Sequence, residues 1–218
     1  MALAATGIAT DLVSNARAIQ PSGGQAPRVA EPDDAALLAA FARGDARAAK
    51  LLTARLGPRA YGVALRVLGH RADAEEVAQE AMLRLWRAAA DWQPGAAQPS
   101  TWLYRVVINL CIDRQRQRRG RGGMLDLDAV PEPEDSAPGA AEQMMQADRS
   151  DALQTALMTL PDRQRQAVVL RHIEGLSNPE IAGIMEIGVE AVESLTARGK
   201  RALARALAGR REDLGYVE

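Results

Sequence analysis

STWLYRVVINLCIDRQRQRRG, residues 100–120, is the stretch on which the architecture turns. At 100° per residue Leu103, Val106, Val107, Leu110 and Cys111 fall on one stripe, the pattern of a helix that buries a single face. Opposite lie Trp102, Arg105, Asn109, Ile112, Asp113 and Arg116, and the run closes on Gln117, Arg118 and Arg119. Ser100 is the expected N-cap. An aromatic, an amide and arginines on one face suit unpaired bases, through stacking, hydrogen bonding and neutralisation of the backbone. Trp92, in the Pro/Gly loop before the helix, offers a second stacking surface. Taken singly, each tryptophan reads better as core. The arginines at 105, 114, 116, 118, 119 and 121 turn the pair toward nucleic acid.

The helical period continues on the N-terminal side. DDAALLAAFARG (33–44) and DARAAKLLTARLG (45–57) each begin with an acid and stop at a glycine. PRAYGVALRVLG (58–69) then reads as a separate helix, because Gly57 and Pro58 predict a break. In ADAEEVAQEAMLRLWRAAAD (72–91), Asp73 and Glu76 sit at capping-box spacing. Val77, Ala78, Ala81, Met82 and Leu85 make its core face, with Trp86 at the border. Glu76, Gln79, Glu80, Leu83 and Arg87 lie opposite, so Leu83 is an apolar residue ringed by polar ones. A lone exposed leucine is ordinary. An acid-rimmed apolar knob is also what a protein-docking helix presents.

On the C-terminal side the composition changes. Asp126, Asp128, Glu132, Glu134, Asp135, Glu142 and Asp148 face only Arg121 and Arg149, and Pro131, Pro133 and Pro138 forbid a helix across the middle. This is an expected flexible acidic linker over residues 120–149. A second helical set follows: SDALQTALMTL, then PDRQRQAVVLRHI, then SNPEIAGIM with Ser177 and Glu180 as a capping box. After a turn at residues 186–188 a last helix runs from Val189 to about Ala208. The last two have helix-turn-helix proportions. Val189, Val192, Leu195, Thr196, Gly199, Leu203 and Leu207 share the inward stripe of the final helix. Glu190, Ser194, Ala197, Arg198, Arg201 and Arg205 lie opposite, an arrangement suited to phosphates and base edges or simply to solvent.

Composition bounds the rest. The chain has 218 residues, 27 Lys and Arg against 28 Asp and Glu, and a net charge of −1, so overall charge names no partner. Apolar residues make up 47%, which excludes global disorder. Six of the seven aromatic residues (Phe41, Tyr61, Trp86, Trp92, Trp102, Tyr104) sit in the first half, which concentrates the larger core there. Cys111 is the single cysteine, so an internal disulfide is impossible, and with His70 and His172 it cannot complete a four-ligand zinc site. No Walker or dinucleotide-binding run is present, and neither histidine has a nucleophile beside it in sequence. No stretch has the length of a membrane span, and no signal-peptide pattern opens the chain, so direct membrane insertion is not expected and a cytoplasmic location is. The expected fold is all-α. A leader (1–32) precedes one helical domain (33–119), the acidic linker leads to a second (150–210), and a tail follows (211–218).

Three stretches in this order resemble an extracytoplasmic-function (ECF) sigma factor, the two-domain group of the bacterial sigma-70 family. They are DAEEVAQEAMLRLWRAA, STWLYRVVINLCIDRQRQRR, and LPDRQRQAVVLRHIEGLSNPEIAGIM followed by VEAVESLTARGKRAL. The resemblance spans residues 34–208 and implies sigma region 2, a tether and a region 4 helix-turn-helix. It implies that Asp73, Glu76, Gln79, Glu80, Leu83 and Trp86 dock on core RNA polymerase. Trp92, Ser100, Trp102, Arg105, Asn109, Asp113, Arg114 and Arg116 would melt and read the −10 promoter element, the loop around residues 92–100 capturing a flipped base. Ser177, Glu190, Ser194, Arg198, Lys200, Arg201 and Arg205 would read the −35 element. The implied partners are core RNA polymerase, promoter DNA and an anti-sigma factor, the implied setting is a stress response, and no catalytic residue, metal or cofactor is implied. Glu193 and Leu195 stand where family recognition helices usually carry basic residues, and Glu186 where a glycine is common. A glutamate can accept a hydrogen bond from cytosine N4. A sigma mimic that only titrates an anti-sigma factor and a dimeric helix-turn-helix repressor are the rival readings. The former usually carries a strand-helix receiver pattern, which this sequence lacks.

Overall fold

A computed structural model describes residues 32–93, 95, 97–120 and 140–208, and every regular element among them is helical. The expected leader up to residue 31, the middle of the linker (121–139) and the tail lie outside the described residues. The described residues divide into two compact units, residues 32–120 and 140–208.

The first unit contains α1 (Asp34–Ala42), α2 (Ala46–Leu68), α3 (Arg71–Ala88), a 3-10 turn (Ala89–Asp91) and α4 (Pro99–Gly120). Helices α2, α3 and α4 pack on one another, and α1 lies against α2. Asp33 and Asp45 start α1 and α2 by accepting backbone amides, Ala36 N at 2.7 Å and Arg47 N at 2.8 Å. Leu38, Leu52, Leu56, Leu85, Leu103 and Ile108 are fully buried between these helices.

Four boundaries or faces differ from expectation. Residues 45–57 and 58–69 form the single helix α2, with Pro58 inside it. Leu52, Leu56, Ala60, Val63, Ala64 and Val67 keep one buried stripe across the Gly-Pro step. Burying each large apolar side chain gains about 1.5–3 kcal/mol, which outweighs the roughly 3 kcal/mol penalty of an internal proline. Gly57 assists, since it lacks the Cβ that collides with the ring of a following proline. Helix α3 begins before Asp73, and its cap is His70, whose Nδ1 accepts the Asp73 amide at 3.2 Å. Helix α4 begins at Pro99, a residue suited to the first helical position because it has no amide to leave unbonded. Gln98 O accepts from Trp102 N, so Ser100 lies in the first turn and is not the cap. Along α4 Leu103, Val107 and Cys111 are buried as expected, but Tyr104 and Ile108 take the places expected for Val106 and Leu110, which are half-buried.

The second unit contains α5 (Ala140–Met158), α6 (Asp162–Val168) continued by a π-helical turn (Val169–Ile173), α7 (Asn178–Met185) and α8 (Val189–Leu207). Helix α5 starts ten residues before Ser150, inside the segment expected to be linker. Residues 140–147 are AAEQMMQA, all strong helix formers, and the last proline before them is Pro138. Helix α8 is the hub, touching α5, α6 and α7. Val192, Gly199, Leu203, Ala204 and Leu207 are its buried residues. Val189 is instead 40% exposed, and Leu195 and Thr196 are half-buried. Gly199 marks the tightest approach: a Cβ there would lie 2.5 Å from Val168 Cγ2 and 3.3 Å from the Gln164 carbonyl oxygen.

Candidate functional site

The core face of α3 is built as expected. Ala74, Val77, Ala78, Ala81, Met82 and Leu85 are buried, Trp86 is half-buried against Phe41 with ring centroids 4.6 Å apart, and Leu83 is 48% exposed. Beside Leu83 an apolar groove of about 480 Å³ opens between α2 and α3. Gln79, Leu83 and Trp86 line it from the expected set. Thr53, Gly57 and Tyr61 of α2 complete it and were not singled out in the sequence; their spacing of four along one helix face is the signal that marks them. Glu75 stands at the same groove, and Glu80 accepts from Arg84 Nε at 2.8 Å on the surface. That hydrogen bond, aided by the charges of Arg84 and Arg87, holds the Glu80 carboxyl below the ordinary carboxylate range. An apolar side chain can enter this groove, and Glu75 at its edge favours a basic neighbour.

Asp73 and Glu76, expected on the same docking face, turn to α4. Arg114 donates to Asp73 Oδ1 at 3.3 Å and to Glu76 Oε2, and Arg118 Nε approaches Asp73 Oδ2 to 3.5 Å. The Asp73 side chain is only 14% exposed, against 60% for Glu76. His70 Nδ1 also lies 3.5 Å from Asp73 Oδ2, but its lone pair already accepts the Asp73 amide, so it serves as cap and not as ion-pair partner. Arg114, expected on the −10 face, is thus engaged within the domain.

The remaining −10 candidates lie along the open side of α4 and the turn before it. Trp92 and Trp102 pack edge to face, 5.8 Å apart at 82°, and both are half-buried. They are neither core residues nor two independent platforms, but one aromatic pair. Ser100 is half-buried, while Arg105, Asn109, Asp113 and Arg116 are exposed. Asp113 and Arg116 approach to 3.9 Å in a solvent-facing pair. Cys111 is buried in the core.

In the second unit the capping box forms as expected. Ser177 Oγ accepts the Glu180 amide at 3.4 Å, and Glu180 Oε2 accepts the Ser177 amide at 2.8 Å. The Ser177 hydroxyl bond, then the amide bond, hold the Glu180 carboxyl low. Helix α7 ends at Glu186 in the left-handed conformation (φ 54°), the place where a glycine fits without strain. On α8 Glu190, Arg198, Arg201 and Arg205 are exposed, while Ser194 and Lys200 are half-buried. Arg198 Nε donates to Ser194 Oγ at 3.1 Å, and Asn178 Nδ2 donates to Glu193 Oε1 at 3.3 Å. The exposed face is therefore acidic over its first turns and basic over its last. Within the described residues no helix is long and apolar enough to cross a membrane, and no cluster of three metal-ligating side chains occurs.

Comparison with known proteins matches a family region in each unit. Residues 52–121 match sigma-70 region 2, and residues 150–203 match sigma-70 region 4. The ECF RNA polymerase sigma factor SigM of Mycobacterium tuberculosis is 34% identical over 177 residues, covering 81% of this chain and 86% of the relative. SigE of Mycolicibacterium smegmatis, also an ECF sigma factor, is 38% identical over 154 residues, which span 69% of this chain and 58% of that protein's length. Among solved structures, CnrH in complex with the cytosolic domain of CnrY is similar with a TM-score of 0.56 and 28% identity, covering 81% of this chain and 97% of that one. The sigma factor RpoE of Bartonella quintana, in complex with the anti-sigma factor NepR, shares the fold with a TM-score of 0.58 at 19% identity, covering 73% of this chain and 96% of that one. With both regions matched in order, and a relative aligned over most of both lengths, the chain belongs to the ECF sigma factors of the sigma-70 family.

Proposed function

We propose that this chain is a non-catalytic specificity subunit that directs core RNA polymerase to promoters from the cytoplasm. The observation that carries this reading is the exposure of Leu83 over an apolar groove, with Glu75 at its edge, on a region 2 fold. Gln79, Glu80, Leu83 and Trp86 form the polymerase-docking face. Trp92, Trp102, Arg105, Asn109, Asp113 and Arg116 face the −10 element, where the aromatic pair and the Asn109 amide hold a separated strand by stacking and hydrogen bonding. The basic end of α8 contacts phosphates at the −35 element, while its N-terminal turns meet base edges. Two modest readers on one tether reinforce each other through effective concentration, so neither needs to bind DNA tightly alone. Bond making stays in the polymerase. The sigma factor RpoE, which shares this fold, is bound by the anti-sigma factor NepR, and this supports control by an anti-sigma factor.

The test is promoter-dependent transcription from genomic fragments with purified core polymerase, with and without the chain. New start sites that vanish when the −10-like sequence is scrambled are the expected result. Leu83→Asp should weaken binding to core polymerase about tenfold or more while both units stay folded, since a charge replaces the central apolar anchor. Unchanged affinity would remove this docking face. Asn109→Ala should spare polymerase binding and lower open-complex formation, read by permanganate reactivity of the melted strand. Polymerase binding without new starts would instead identify a sigma mimic.

A further inference from the structure

Resting on that reading, we propose that Asp73 is not a docking acid but a positioning residue that fixes the basic end of the −10-reading helix. The apolar anchoring of α4 stops well before the helix does. Cys111 is its last buried residue, and residues 112–120 continue for about 13 Å at 1.5 Å per residue with no buried side chain. A helix end without an apolar anchor frays unless polar contacts restrain it. Here those contacts converge on the first turn of α3. Arg114 and Arg118, one helical turn apart on the same face, both turn to the Asp73 carboxylate. Glu76 takes the second guanidinium nitrogen of Arg114, and Gln115 Nε2 donates to the Val67 carbonyl at 3.4 Å, where α2 ends.

Asp73 suits this role better than Glu76. Its side chain is 14% exposed, its Oδ2 is buried with Arg118 as ionic neighbour, and its backbone is fixed by the His70 cap. A carboxylate so enclosed has little surface to offer a partner protein. What it does is set the rotation of the last turns of α4. Drawing Arg114 and Arg118 inward leaves Arg116, two residues on and roughly 200° around the helix, directed outward, and Arg116 is 77% exposed. A reader of separated bases needs its side chains in place before the strand arrives, and Asp73 supplies that order for this stretch.

The experiment compares the full chain with its Asp73→Asn and Arg118→Gln variants by hydrogen exchange, core-polymerase affinity and promoter opening. Amides of residues 112–120 should exchange about tenfold faster in Asp73→Asn and less markedly so in Arg118→Gln. Polymerase affinity should stay within about twofold while opening falls about five- to tenfold, a separation that general loss of fold does not produce. Asp73→Glu, which keeps the charge, should recover part of the opening. Unchanged exchange at 112–120 overturns the proposal, as does faster exchange with normal opening. Weaker polymerase binding with unchanged exchange returns Asp73 to the docking face. If Asp73→Asn fails to fold, Arg118→Gln decides by the same readings, because its side chain is 40% exposed and outside the core. Failure of the unsubstituted chain to start transcription would count against the sigma reading alone, since the exchange at 112–120 is measured without promoter or polymerase.

Discussion

Helices α4 and α8 both present arginines, and they differ in what those arginines do at home. Arg114 on α4 reaches a carboxylate 41 positions away in sequence, while Arg198 on α8 reaches Ser194, four positions back on its own helix. Helix α8 is secured by packing: it is the hub of its unit, and Gly199 brings it against Val168 and the Gln164 backbone. Helix α4 is secured by packing only as far as Cys111 and by charge beyond it. Basic residues of region 2 thus belong partly to the fold. On α8, by contrast, Arg198 bonds within its own helix, which packing already holds.

The strongest way to break this contrast is to attack the packing of α8. Gly199→Ala should destabilise the second unit by about 1–3 kcal/mol, because a backbone carbonyl and a branched side chain must both move. Urea unfolding followed by exchange at residues 192–204 measures it, and a neutral result would deny α8 its role as a close-packed hub. A finer test pairs two arginines. Arg114→Ala should lower the stability of the first unit by about 1 kcal/mol, whereas Arg198→Ala should change the second by less than about 0.5 kcal/mol and act only on DNA binding. Equal losses would erase the difference between the helices.

The smallest effect concerns protons. His172, in the π-helical turn, has a buried Nε2 without a hydrogen bond. Burial, with the charges of Lys200 and Arg171 nearby, lowers its pKa below 6.5. Below that pH the unfolded chain binds a proton that the folded one resists, so stability of the second unit should fall as pH drops through about 6.5. The capping box adds a loss at lower pH still, as Glu180 is protonated. Exchange at α7 and α8 between about pH 7.5 and 5.5 reads the first effect, and His172→Gln should flatten it.

Much of this was legible in the chain itself. Leu83 as an exposed knob, the Ser177–Glu180 box and the core face of α3 follow from spacing alone, because each depends on residues within two turns of one another. The features that spacing misplaces share the opposite property. The link from Asp73 to Arg114 joins residues on different helices, and acids beside a docking motif look like partner contacts until α4 is laid against them. Gly57-Pro58 reads as a stop by local preference, and only the buried stripe running through it overrides that preference. The shift from Val106 and Leu110 to Tyr104 and Ile108 is a rotation of α4 about its axis, set by α2 and α3. The groove needed both of its walls before it existed at all.

Gly57 has a consequence that reaches past this chain. It lets α2 run through Pro58, and it also lines the groove beside Leu83. A Cβ placed there would lie 4.0 Å from Thr53 Cγ2, so a side chain at 57 would grow into the open groove proposed above for docking. One codon therefore governs both the continuity of a helix and the depth of a recognition pocket. Drift at this position would be punished twice, and a larger residue here, matched by a trimmed side chain on the partner, would form a bump-and-hole pair that insulates one sigma-polymerase couple from all others in the same cell.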